Sequence, residues 1–185
     1  MTGLFGGAFD PPHNGHVALV EAARRHFGLE HLFVFVVVLP GHRTVTLDLA
    51  VRFELALLAF GDLPGVEVVP EEHAYTVDAV EDGRYGDAVF LVGADEFGGF
   101  LGWKEPNRLL EHVRLGVATR PGYDPKTYAA VLAELDRPDR VEFFEIPAVP
   151  VSSSEIRARL ARGEGARGLV PDDVADVIEA RGLYR

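Results

Sequence analysis

Two histidines three residues apart, His13 and His16, stand in the stretch Gly6-Gly7-Ala8-Phe9-Asp10-Pro11-Pro12-His13-Asn14-Gly15-His16. Residues at i and i+3 share a face of a helix, so both imidazoles can act on one ligand atom group. Before them lies an apolar lead-in, Met1 to Phe5, and after them Val17 to Arg25 has amphipathic spacing. Strand, glycine turn and helix start together present unsatisfied backbone N–H groups to an anion. Gly6 and Gly7 allow close backbone approach to a phosphate, and the two prolines delay the helix to about Asn14. Imidazoles at a helix N-terminus suit a phosphate whose charge grows during reaction. The same pair also fits two solvated residues or half of a zinc site, and the glycines fit a plain tight turn.

Other residues with chemical potential fall at predicted strand ends. His42 and Arg43 follow the apolar run Leu32–Leu39, where a ligand site and a solvated turn are both open readings. Gly93-Ala94-Asp95 follows Ala88–Val92; glycine then carboxylate suits a ribose, and a helix cap by Asp95 is the alternative. Trp103, the single tryptophan, comes after Gly98-Gly99-Phe100-Leu101-Gly102 and can either pack or stack on a ligand ring. Arg120 follows Leu115–Thr119 and is placed for a phosphate or for solvent. Ser152-Ser153-Ser154-Glu155-Ile156-Arg157 reads as a helix start with a Ser152/Glu155 capping box. Its hydroxyls and N–H groups make a second anion site, with Arg157 one turn in.

These residues need a scaffold, and the hydrophobic pattern supplies one. Runs buried on both faces, such as Leu32–Leu39, are the mark of parallel strands. Val66–Val69 and Val141–Ile146 read as further strands. Helices are expected from the Asp48 cap to Phe60, from about Tyr75 before Gly83, over Pro106–His112, and from Pro171 to a Gly182 stop. Strands and helices alternate without repeat, low-complexity segment or linker. The fold class is therefore α/β: a three-layer, Rossmann-like, doubly wound and mainly parallel sheet, expected as one domain over residues 1–185. Both anion sites then meet at the C-terminal sheet edge.

Composition narrows the function. The chain has 185 residues, 48% hydrophobic and 10% aromatic, which suits a globular core. No apolar run approaches the ~20 residues of a membrane span, and no signal peptide is evident. The absence of cysteine removes disulfides and thiolate metal sites; cytoplasm is the simplest location. A formal charge of −11 argues against nucleic acid as partner, so a phosphate site has to be basic locally. Arginine outnumbers lysine sixteen to two and glutamine is absent, as in heat-adapted chains or under biased base composition.

The first stretch resembles the G-G-x-F-D-P-x-H-x-G-H signature of the nucleotidyltransferase superfamily. With Ser152–Arg157 (S-S-T-x-I-R), Gly93–Asp95 before Trp103 (G-x-D…W), Arg120-Pro121-Gly122 (R-P-G) and Tyr75-Thr76-Val77-Asp78, the chain is similar over nearly its whole length to bacterial nicotinate-nucleotide adenylyltransferases. The resemblance implies ATP and a pyridine mononucleotide as partners, no membrane and a possible homo-oligomer. Mg²⁺ would ride on ATP phosphates and water, without a dedicated metal site. It implies His16 on the α-phosphate, with His13, Ser153 and Arg157 on the triphosphate tail and Asp95 on the ribose. Gly6, Gly7, Ala8, Phe9, Gly15, Gly93, Ser152 and Ile156 complete the ATP contacts. Arg43, Tyr75, Thr76, Trp103 and Arg120 fall to the acceptor. Ala8, Gly41, Ala74 and Ala79 depart from the family pattern, mostly on the acceptor side. Another phosphorylated acceptor, such as nicotinamide mononucleotide or pantetheine phosphate, and a noncatalytic nucleotide sensor are the competing readings.

Overall fold

The computed structural model describes residues 1–38 and 45–185. Six parallel strands form one sheet in the order β3-β2-β1-β4-β5-β6. They are β1 (Thr2–Gly7), β2 (His31–Val37), β3 (Val66–Glu71), β4 (Val89–Gly93), β5 (Arg114–Thr119) and β6 (Val141–Glu145). The order reverses direction between β1 and β4, where loops leaving the two strands diverge to opposite faces and open a crevice. The expected N-terminal wing is β1–β3, and the expected second wing is β4–β6.

Helices α1 (Asn14–Phe27), α2 (Leu49–Phe60), α7 (Ser153–Ala161) and α8 (Asp172–Arg181) accompany one core cluster, built on Val20, Leu55, Phe60, Ile156 and Ile178. The other cluster holds Leu4, Phe90, Phe97, Phe100 and Leu110, with α3 (Thr76–Val80) and α5 (Pro106–His112) over it. Two short helices, α4 (Ala94–Phe97) and α6 (Ala129–Ala133), are also present. Residue Asp48 caps α2 through Val51 N–H at 3.0 Å, and Gly182 ends α8 in the left-handed region, both as the sequence predicts. Among the described residues no helix is long and apolar enough to cross a membrane.

Three features differ from expectation. Strand β3 runs through Pro70 to Glu71 rather than ending at Val69. It is an edge strand, so a proline without an N–H is tolerated there. Between β5 and β6 the chain forms 3-10 turns at Pro125–Tyr128 and Pro138–Arg140 around α6, where the sequence has no strong period. At α7, Ser152 Oγ accepts from Glu155 N–H at 3.2 Å; this is one arm of the expected capping box.

Candidate active site

The reciprocal cap belongs to the histidines instead. His13 is the N-cap of α1 and His16 its third residue. His16 N–H donates to His13 Nδ1 at 3.3 Å, and His13 N–H donates to His16 Nδ1 at 3.2 Å. The rings stack with centroids 3.6 Å apart and planes 16° apart. A nitrogen that accepts an N–H carries no proton, so each neutral ring holds its proton on Nε2. The sequence places two imidazoles on one side; the fold adds their tautomers.

Gly15 leaves the stack uncrowded. A methyl there would lie 3.1 Å from the His13 ring and 3.5 Å from Val151. Gly7 likewise leaves room for a ring, since a Cβ there would meet Phe9 at 2.9 Å. Phe9 is buried in the core and packs edge-on against His16 and Phe60. Only its backbone can therefore face a ligand, and its ring braces the His16 ring. Ile156 is likewise fully buried, and its N–H donates to Ser152 O at 3.0 Å. It seats α7 and offers the crevice neither side chain nor N–H, unlike the ATP contact expected from the motif.

Burial pulls the His13 imidazole down to about 4, against a smaller opposing backbone hydrogen bond. The folded protein therefore refuses a proton that an unfolded histidine takes up near its ordinary 6.5. Between those values the unfolded state binds more protons, so this group removes stability as pH falls from ~6.5 toward ~4. His13→Asn keeps a capping acceptor without an imidazole. Urea midpoints measured from about pH 7 to about pH 4.5 should fall less steeply in this variant than in the parent. Parallel curves would remove His13 as the source.

The loop holding the histidines is clamped to α7. Ser153 Oγ donates to Pro11 O at 2.8 Å, and Arg157 donates from Nη1 to Asp10 O at 2.7 Å and from Nη2 to Ser154 Oγ at 3.3 Å. With its proton given to Pro11, the Ser153 hydroxyl fastens the loop; its backbone N–H, in the first turn of α7, remains for an anion. The half-buried Arg157 keeps further guanidinium N–H donors beyond these two bonds. Two anion sites predicted from separate parts of the chain thus share one edge.

Across the crevice, Gly93 ends β4 and caps α4, and a Cβ there would touch nothing. Asp95 is not a cap: it lies in the first turn of α4, its side chain 95% exposed, with Arg120 Nη2 at 3.9 Å. An exposed pair at that distance contributes little, so the carboxylate can exchange it for hydroxyl donors. Arg120, read as an acceptor ligand, therefore stands beside the residue read as the ribose ligand.

On the other side of β1, a small cleft is lined by Gly6, Phe35, Glu71, Tyr75, Thr76 and Phe90, among others. Trp103 packs edge-on against Phe90 at 6.2 Å. Lys104 lies 5.0 Å over the Tyr75 ring and bonds Asp78 at 2.7 Å. Tyr75 and Thr76 thus line the cleft, and Trp103 packs on Phe90 of its wall. Gly6 sits at the floor, its hypothetical Cβ 3.4 Å from Phe90. Arg43, with Gly41 and His42, lies outside the described residues.

Sequence reading missed Arg52, Asp10 and Tyr184. Arg52, 1% exposed, donates to Ala8 O at 2.8 Å, Val37 O at 3.0 Å and Leu47 O at 3.2 Å. Burial lowers its guanidinium and the Asp10 charge opposes this. An arginine between Val51 and Phe53, in a helix whose other charged residue is Glu54, was the available signal.

Residues 4–159 match the family model described as cytidylyltransferase-like. "Probable nicotinate-nucleotide adenylyltransferase" is the description of relatives in Rubrobacter xylanophilus and Bordetella avium. The first is 35% identical over 100% of this chain and 92% of its own. The second is 37% identical over 99% of this chain and 97% of its own. The fold matches a Plasmodium falciparum nicotinic acid mononucleotide adenylyltransferase complexed with NaAD, with a TM-score of 0.79 at 15% identity, covering 99% and 96% of the two chains. The crevice, its stacked histidines and these full-length matches agree: the chain belongs to the cytidylyltransferase-like nucleotidyltransferases, in the nicotinate-nucleotide adenylyltransferase family.

Proposed function

We propose that this chain, acting as one catalytic unit over residues 1–185, transfers AMP from ATP to the phosphate of nicotinate mononucleotide. The products are nicotinate adenine dinucleotide and pyrophosphate, a step of NAD biosynthesis. The observation that carries this reading is the stacked His13–His16 pair, proton on Nε2, at the N-terminus of α1 beside the sheet's reversal point.

An oxygen of the acceptor phosphate attacks the α-phosphorus, and the bond from that phosphorus to the bridging oxygen of the β-phosphate breaks. The electron pair leaves with pyrophosphate. The attacking oxygen is already anionic, so no side chain has to remove a proton. The protein's work is alignment and relief of charge on the α-phosphate and the departing pyrophosphate. His16 serves the α-phosphate. His13, Arg157 and the backbone N–H groups of Gly15 and Ser153 serve the tail. Asp95 takes the ribose at the open end of Gly93, and Arg120 and Arg43 meet the acceptor's phosphate. Trp103, Tyr75 and Thr76 take the pyridine ring. Among the described residues no group of three acidic or histidine side chains could hold an ion. Mg²⁺ carried on the phosphates and water would supply further charge neutralisation there.

Pyrophosphate release from ATP across three acceptors tests the reading: nicotinate mononucleotide, nicotinamide mononucleotide and pantetheine phosphate. A carboxylate can accept from every donor around the ring, whereas an amide leaves one poorly paired. The nicotinate compound should lead by at least ~10-fold in kcat/KM, equivalent to ~1.4 kcal/mol. Trp103→Ala should raise the acceptor KM and leave the ATP KM nearly unchanged. Preference for either other acceptor defeats the substrate assignment; no release with any of them favours a nucleotide sensor.

A further inference from the structure

Beneath the histidine loop lies a buried carboxylate that the proposed chemistry does not use. Asp10 is 3% exposed. Its Oδ1 accepts from the Tyr184 hydroxyl at 2.8 Å, and its Oδ2 accepts from Thr46 N–H. Its backbone carbonyl is the acceptor for Arg157 at 2.7 Å. One residue therefore connects the end of α8, the approach to α2 and the arginine of α7. Arg52, fixed by three carbonyls, adds its positive charge to the same pocket.

The backbone is held in costly conformations on both sides of the Tyr184–Asp10 contact. Tyr184 has φ 68° and the residue before Asp10, Phe9, has φ 49°. A bulky side chain in the left-handed region is strained and persists only where surrounding contacts enforce it. Gly182, also left-handed, turns the chain so that Leu183 N–H reaches Ile178 O and the next residue faces back to the loop. Burial, then the Asp10 charge, hold the phenol above its ordinary range, so the hydroxyl stays a donor through the working pH range.

We propose that Tyr184 and Asp10 form a positioning pair that sets Arg157 for the triphosphate. Tyr184 fixes the carboxylate, the carboxylate fixes the orientation of the Asp10 peptide, and its carbonyl fixes the guanidinium. The pair touches no reacting atom. This inference rests on the reading of Arg157 as a ligand of the ATP tail.

A double-mutant cycle with Tyr184→Phe and Arg157→Ala tests it, read as kcat/KM for ATP by pyrophosphate release. The phenylalanine keeps the ring and removes only the donor. Alone it should lower kcat/KM for ATP by about 10-fold, leave the acceptor KM within about 2-fold, and have less than a 2-fold effect when Arg157 is already alanine. A packing role would give equal losses in both backgrounds, and that additivity, or a Tyr184→Phe enzyme with parental ATP kinetics, overturns the inference. If Arg157→Ala affects ATP but the cycle is additive, the reading of Arg157 stands and the pair is dismissed. If Arg157→Ala is itself silent toward ATP, both fall. Should Tyr184→Phe not fold, Asp10→Asn enters the same cycle with the same criteria.

Discussion

Replacing His16 by alanine is expected to lower kcat by at least ~100-fold while the fold persists, the scale of losing one donor to a transition-state oxyanion. His16 Nδ1 accepts from His13 N–H, which fixes the ring before any substrate arrives. A preset donor needs no reorganisation as charge develops, which is why its loss appears in kcat more than in KM. The structural cost is smaller. One arm of the reciprocal cap disappears, about 1 kcal/mol by analogy with other caps, and Phe9 loses an edge contact at 5.2 Å. His13 Nδ1 still accepts the residue-16 N–H in the variant, since a backbone donor is unaffected by the mutation. Circular dichroism and a thermal melt establish folding, and single-turnover pyrophosphate release gives the chemical step. Near-parental turnover in a folded variant would take His16 out of the mechanism.

How much of this arrangement the sequence shows depends on chain separation. The histidine pair, its helix start and the α7 start are local patterns with fixed offsets, and the structure has them at Asn14 and Ser153. The parallel sheet follows from continuous apolar runs, and the reversal between β1 and β4 agrees with two expected wings. What the offsets do not carry is which motif residue faces the ligand. Phe9 and Ile156 sit inside recognised motifs and point into the core. Nor do they carry long-range polar contacts. Asp10 meets Tyr184 across 174 positions, Arg52 meets Ala8 across 44, and Ser153 meets Pro11 across 142. No period relates such positions, so the partners of Arg52, Asp10 and Tyr184 stay hidden until the chain is folded. The same limit applies to Arg120: its strand-end position is legible, but its neighbour Asp95 is not.

Arg157→Ala is expected to lower kcat/KM for ATP by roughly 30- to 100-fold, with the acceptor KM changed by less than about 3-fold. That range corresponds to about 2–3 kcal/mol at ~1.4 kcal/mol per decade, the worth of a charge-assisted hydrogen bond to a phosphate. The asymmetry follows from position. Arg157 lies at the middle of α7 beside the histidine loop, while the aromatic cleft with Tyr75, Thr76 and Phe90 lies on the far side of β1. Removing the guanidinium also leaves Asp10 O without its donor, so part of the loss comes from the loop itself. Arg157→Lys separates the two contributions. Lysine restores a positive charge but not the planar fork that bonds Asp10 O and Ser154 Oγ together. Recovery by lysine of about half the lost free energy would assign the remainder to geometry. An alanine variant with equal effects on both substrates, or with none, would return Arg157 to a purely structural role as the clamp between α7 and the loop.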